Sequence, residues 1–157
     1  MKKFGSIISL SFLVLFLLVG CVSSSSNLVK SGDDNDWVKY YTSKDGTIWL
    51  YKKVSSEKKD EKYIVQVWNK VMYSTKGKDF YKQQWTKDGY STEGWDKLSG
   101  ERFLYEIDCN EYKRRTLYVI VYDTDGKILF ENDYDVNIWD SITPNSVKEI
   151  LLKRVCN

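Results

Sequence analysis

The chain has 157 residues, one domain's worth, with 24 basic against 22 acidic side chains and 15% aromatic residues. It contains no histidine, which excludes serine or cysteine nucleophiles served by a histidine base, histidine zinc sites and the usual general base at neutral pH. The near balance of charge gives no general reason to expect nucleic acid or an anionic surface as partner.

Lys2 and Lys3 precede an uncharged, Leu-, Val- and Phe-rich run that ends Leu18-Val19-Gly20-Cys21. This is the pattern of a bacterial lipoprotein signal peptide, so residues 1–20 are expected to be removed and Cys21 to be diacylated. A transmembrane anchor is the competing reading, but the run is short and broken by Gly5, Ser6, Ser9 and Ser11. More than one acyl chain on Cys21 is enough for stable attachment to a membrane. Without Lys2 and Lys3 the 24 basic residues become 22, equal to the 22 acidic ones. Val22, rather than an aspartate, follows Cys21, which favours the outer membrane in a cell that has two. Residues 21–36 are polar, Ser- and Asp-rich and aperiodic, and read as a flexible tether.

The domain itself is expected over residues 37–157. Trp37 to Thr42 and Thr47 to Lys53 read as strands joined by a turn at Asp45-Gly46. Lys52 to Lys62 is so charged that it reads as a solvated loop. Lys62 to Tyr73 predicts a long strand with Tyr63, Val65, Val67, Val71 and Tyr73 on one face. Ser74 to Gly100 is irregular, apart from a short helix over Asp79 to Asp88 ended by Gly89. Three more strands follow at Arg102 to Cys109, Arg114 to Asp123 and Lys127 to Tyr134, the last two joined by Asp125-Gly126.

The final stretch has the clearest punctuation. Pro144 is the only proline, and Ser146 followed by Glu149 reads as a capping box. Val147, Ile150, Leu151 and Val155 then recur at helical spacing, with Lys153 and Arg154 suiting the negative end of the helix dipole. A helix this short is unstable alone and must lie on the sheet. Cys109 shares a strand face with Phe103, Tyr105 and Ile107, so its thiol points where that helix docks. With Cys21 used for lipid, Cys109 and Cys156 are left as a pair for a disulfide in an exported protein. Two buried free thiols are the alternative. The fold class is α+β: a six-stranded antiparallel sheet with a C-terminal helix packed on one face and tied by the disulfide.

No Gly-rich phosphate loop and no CxxC motif is present, and no catalytic residue, metal site or cofactor is expected. Asp123-Thr-Asp125-Gly126 resembles the start of a calcium loop, but the twelfth position is Tyr134 rather than a bidentate glutamate, so a hairpin turn is the better reading.

With these elements placed, the chain resembles the surface-adhesin protein E family of bacterial lipoproteins. The resemblance rests on Tyr105-Glu-Ile-Asp-Cys109, the Tyr122-Asp-Thr-Asp-Gly126 turn, Gly89, Trp95-Asp-Lys-Leu-Ser99, and Trp139, Ile142, Pro144, Ser146 with the closing Val155-Cys156. It implies a six-stranded sheet whose terminal helix is tied to the concave face, and a role in binding extracellular matrix or serum proteins such as vitronectin and laminin. The expected contact region is Lys76 to Lys97, where Lys76, Lys78, Lys82, Lys87 and Lys97 interleave with Tyr81, Trp85, Tyr90 and Trp95. The alternative there is that both tryptophans pack beneath the segment. A periplasm-facing structural or stress-related lipoprotein with no host ligand is the alternative function. A third, a small-molecule carrier using the concave face, is disfavoured because the helix is expected to fill that face.

Overall fold

A computed structural model describes residues 36–59, 61–134 and 137–157. The expected leader, the lipidated Cys21 and the tether up to residue 35 lie outside the described residues.

The strands are β1 (Val38–Thr42), β2 (Ile48–Lys59), β3 (Lys62–Met72), β4 (Leu98–Asp108), β5 (Lys113–Asp123) and β6 (Ile128–Asp133). They pair antiparallel in chain order into a curled sheet. A two-residue strand, β7 (Asp140–Ser141), pairs Lys113 and Arg114 of β5. Two helices complete the domain, α1 (Gly77–Lys87) and α2 (Val147–Val155).

Alternation along β3 sets which face is buried. Val65, Val67, Asn69 and Val71 are at most 1% exposed and point to the concave side. The register places them beside Ile107, Tyr105, Phe103 and Glu101 of β4, so the odd-numbered residues of both strands line one surface. The convex side stays in water and is polar and aromatic instead, as one-sided antiparallel sheets allow. There Glu106 accepts from Gln66 at 3.0 Å and from Arg115 at 2.6 Å, and Arg102 lies 5.6 Å from the Trp37 ring and 5.4 Å from the Tyr122 ring.

The two helices cover opposite ends of the concave face. Leu151, Leu152 and Val155 of α2 pack on Val65, Val67, Tyr105 and Ile107. Tyr81 and Trp85 of α1 pack with Trp95 on Val71, Tyr73, Val119 and Val121. Phe103 touches both groups, at the seam.

α2 is fixed at both ends. Ser146 Oγ accepts from the Glu149 amide at 3.3 Å, the first half of the expected capping box. The second half is displaced by one residue, because Glu149 Oε2 accepts from the Asn145 amide at 2.8 Å, and Asn145 holds a positive φ of 59°. At the other end Cys156 is bonded to Cys109, with Cα atoms 5.7 Å apart. The buried stripe runs through Leu151, Leu152 and Val155, with Ile150 only half-buried.

One sequence expectation is corrected here. The charged stretch between Lys52 and Lys62 is not a loop but the far half of a hairpin, with β2 paired to β3 as far as Lys59 opposite Lys62. Glu61, at φ 66°, makes the turn. The Asp123 to Gly126 segment is the expected hairpin turn: Asp123 Oδ1 accepts from the amides of Asp125 and Lys127, each at 2.8 Å.

Candidate functional site

Two regions carry recognition chemistry. The first is the segment from Lys76 to Lys97, which α1 and a short 3-10 turn at Trp95–Lys97 organise. Gly77 begins the helix because space is short: a Cβ there would stand 2.5 Å from Asp45 Oδ2 and 2.6 Å from Thr47 Oγ1. Gly89 (φ 88°) reverses the chain just after the helix, in the left-handed region that glycine enters freely.

The interleaved aromatics and lysines separate once this segment folds. Trp95 is 3% exposed. Trp85 meets Tyr90, Trp95 and Phe130 edge-on, with ring centroids 5.0, 5.7 and 5.2 Å away. Tyr81 stacks on Tyr73 at 4.2 Å, and burial pushes its hydroxyl up to about 12. The aromatics therefore face the sheet and hold the segment down. Lys76, Lys87 and Lys97 are exposed, and Lys78 and Lys82 half-buried. Lys82 lies 3.8 Å from Asp96, and Lys97 pairs with Asp125 at 2.7 Å. Phe80, 56% exposed on the outer face of α1, is the large apolar side chain that sequence reasoning missed. It lies next to Tyr81 in sequence, and helical periodicity sends the two to different faces.

The second region lies between α2 and the concave face of the sheet. α2 leaves part of the concave face uncovered, contrary to the expectation that it fills that face. A cleft of about 300 Å³ remains, floored by Asn69, Glu101, Phe103, Tyr105 and Ile107. Tyr40 and Trp49 form one wall, Arg114 another, and Ser146, Val147, Lys148 and Leu151 of α2 the roof. Phe103 and Tyr105 stack nearly parallel, 5.4 Å apart. The Tyr40 hydroxyl donates to Asn69 Oδ1 at 2.8 Å. The Arg114 guanidinium lies 4.4 Å from the Tyr105 ring centroid.

The electrostatics of the cleft are unusual. Glu101 is 5% exposed, and burial pushes its carboxyl up to about 7, against a hydrogen bond from Trp85 that favours ionisation. The Trp85 Nε1 donates to Glu101 Oε2 at 3.2 Å, so α1 holds the buried acid from outside the cleft. Lys148 is exposed along α2, but partial desolvation where it meets the cleft, and second the charge of Arg114, push its ammonium down, with Asp140 opposing. The Tyr40 hydroxyl is raised chiefly by burial. No described carboxylate lies within ion-pair distance of Arg114 or Lys148.

The sequence profile of the surface-adhesin protein E family matches residues 37–157, the whole of the folded domain. The chain belongs to the surface-adhesin protein E family. No match was found among curated proteins or among solved structures. Membership in this family of adhesins implies a location at the cell surface or envelope and a binding role towards host or surface partners, rather than catalysis.

Proposed function

We propose that this adhesin-family chain is a lipoprotein anchored through Cys21 to the outer membrane, exposed at the surface, where it binds extracellular matrix or serum proteins. The observation that carries the reading is the family match over residues 37–157. Leu18-Val19-Gly20-Cys21 behind Lys2 and Lys3 supports the anchor. The contact region we propose is the outer side of Lys76 to Lys97. Its lysines and Phe80 meet the partner, while Tyr81, Trp85, Tyr90 and Trp95 form the rigid base beneath them. An aromatic and basic surface on a firmly packed segment suits protein recognition, because little ordering entropy remains to be lost.

Two measurements test this. Cys21→Ser should leave an uncleaved precursor that takes up no labelled palmitate, and normal processing of the variant would refute the anchor. Protease added to intact cells should cleave the domain, and the same cells should bind immobilised matrix proteins less well when Phe80, Lys76 and Lys87 are replaced by alanine. Full protection from protease in intact cells favours the periplasm-facing alternative instead.

A further inference from the structure

We propose that the cleft between α2 and the concave face is a binding site for a small organic monocarboxylate with an apolar or aromatic body. The cleft is about 300 Å³. Liquid water occupies about 30 Å³ per molecule, so this space takes a ligand of roughly ten to fifteen non-hydrogen atoms, at the small end of ordinary ligand pockets. A folded protein or an extended peptide segment is too large for it, so this inference is independent of the proposed adhesin contact.

The walls define the chemistry. Phe103, Tyr105 and Ile107 offer a flat, largely apolar floor on which a ring or short chain packs. Arg114 and Lys148 stand at the cleft from two separate elements, β5 and α2, and act electrostatically on each other. Neither has a described carboxylate at ion-pair distance. Among the described residues Asp140 is the acid that acts on Lys148, without an ion pair between them. Two cations held together over an apolar floor repel one another, and an anion between them replaces that repulsion with attraction. The planar Arg114 fork suits a carboxylate, which it can engage through two parallel hydrogen bonds.

Glu101 sets the other limit. It is a buried carboxyl on the cleft floor on which no described cation acts. Above about pH 7, where Glu101 is ionised, a second carboxylate on the far end of a ligand would meet it and be repelled. There the site selects monocarboxylates over dicarboxylates, a discrimination by like charge rather than by size.

Fluorine NMR of the full-length chain at about pH 8 with trifluoromethyl-phenylacetate tests the site. The controls are the corresponding phenylethanol, which keeps the body and loses the charge, and the same trifluoromethyl-phenylacetate with an added ring carboxyl, which brings a second acid. The acid should bind, with the alcohol and the diacid each about ten-fold weaker or more, the loss expected when a charge-assisted hydrogen bond is removed. Arg114→Gln should weaken the acid by a similar factor and leave the alcohol unchanged. Lys148 is exposed on α2, so Lys148→Gln keeps the test valid if the Arg114 variant does not fold. Equal binding of acid and alcohol, unchanged affinity for the acid in a folded variant, or no binding of the acid at millimolar concentration would each overturn the proposal.

Discussion

The indole N–H of Trp85 reaches from α1 to donate to Glu101 Oε2 at 3.2 Å, joining the helix to a buried acid of β4. That carboxyl is pushed up to about 7, chiefly by burial, above the value of 4.5 it has in water. A raised carboxyl contributes stability below its unfolded value and loses it as pH climbs through the folded one. Between about pH 4.5 and 7 the Glu101 contribution should therefore fall with rising pH, by on the order of 2–3 kcal/mol. Urea unfolding of wild type and Glu101→Gln at pH 5 and pH 8 isolates it: the difference between the two proteins should shrink or reverse at the higher pH. A constant difference across that range would show that Glu101 titrates normally.

Trp95 and Trp85 stand beneath the proposed contact surface, so their removal should cost stability. Trp95→Ala is expected to cost about 3–5 kcal/mol, the usual range for a buried large aromatic. Trp85→Ala should cost less, because Trp85 is only half-buried. Circular dichroism melts decide the ranking. A fall of less than about 4 °C for Trp95→Ala would contradict its burial.

The bridge from Cys109 to Cys156 closes a span of 47 residues. Cys156→Ser should destabilise the domain by about 2–5 kcal/mol and leave the sheet folded, because Leu151, Leu152 and Val155 still bury their side chains against it. Hydrogen exchange on the variant should rise first over residues 147–155. If β4 exchanges as early as α2, the helix is not the separable element described here.

Gly100 lies opposite Met72 in the ladder between β3 and β4. A Cβ at this position would stand 2.2 Å from the Val71 carbonyl oxygen and 2.8 Å from the Tyr122 hydroxyl. Gly100→Ala should therefore force the strands apart and cost about 3 kcal/mol or more. An unchanged melting temperature would mean that the strand spacing yields more readily than backbone contact permits.

Much of this architecture was legible because burial and alternation agree. The odd-numbered face of β3, the Cys109 position and the cap at Ser146 each follow from local signals that the fold then reinforces. Charge hid the outer hairpin. Lys52 to Lys62 carries no apolar period-two signal, yet the chain goes on pairing there through backbone hydrogen bonds and a few polar side-chain contacts. β4 begins at Leu98, four residues before the expected Arg102, because Ser99 and Gly100 are poor strand formers that pairing overrides. The cleft was missed for a geometric reason. Nine helical residues rise about 13 Å, while an eleven-residue strand extends about 37 Å, so α2 has no means of covering the face it was expected to fill. In the Lys76 to Lys97 segment the residue types were legible but not their directions, since the turn at Gly89 decides which aromatics fold inward.

α2 follows every described strand, and its partner thiol, Cys109, directly follows β4. A polypeptide made from its N-terminus thus completes the sheet before the element that covers half of its inner surface exists. In that interval Val65, Val67 and Ile107 face water, and Cys109 is an unpaired thiolate source open to any disulfide nearby. Maturation of this protein is then governed by the arrival of its last helix. A cell that oxidises thiols slowly should accumulate a species with its strands paired and its last helix docked but not yet locked, rather than an unfolded chain.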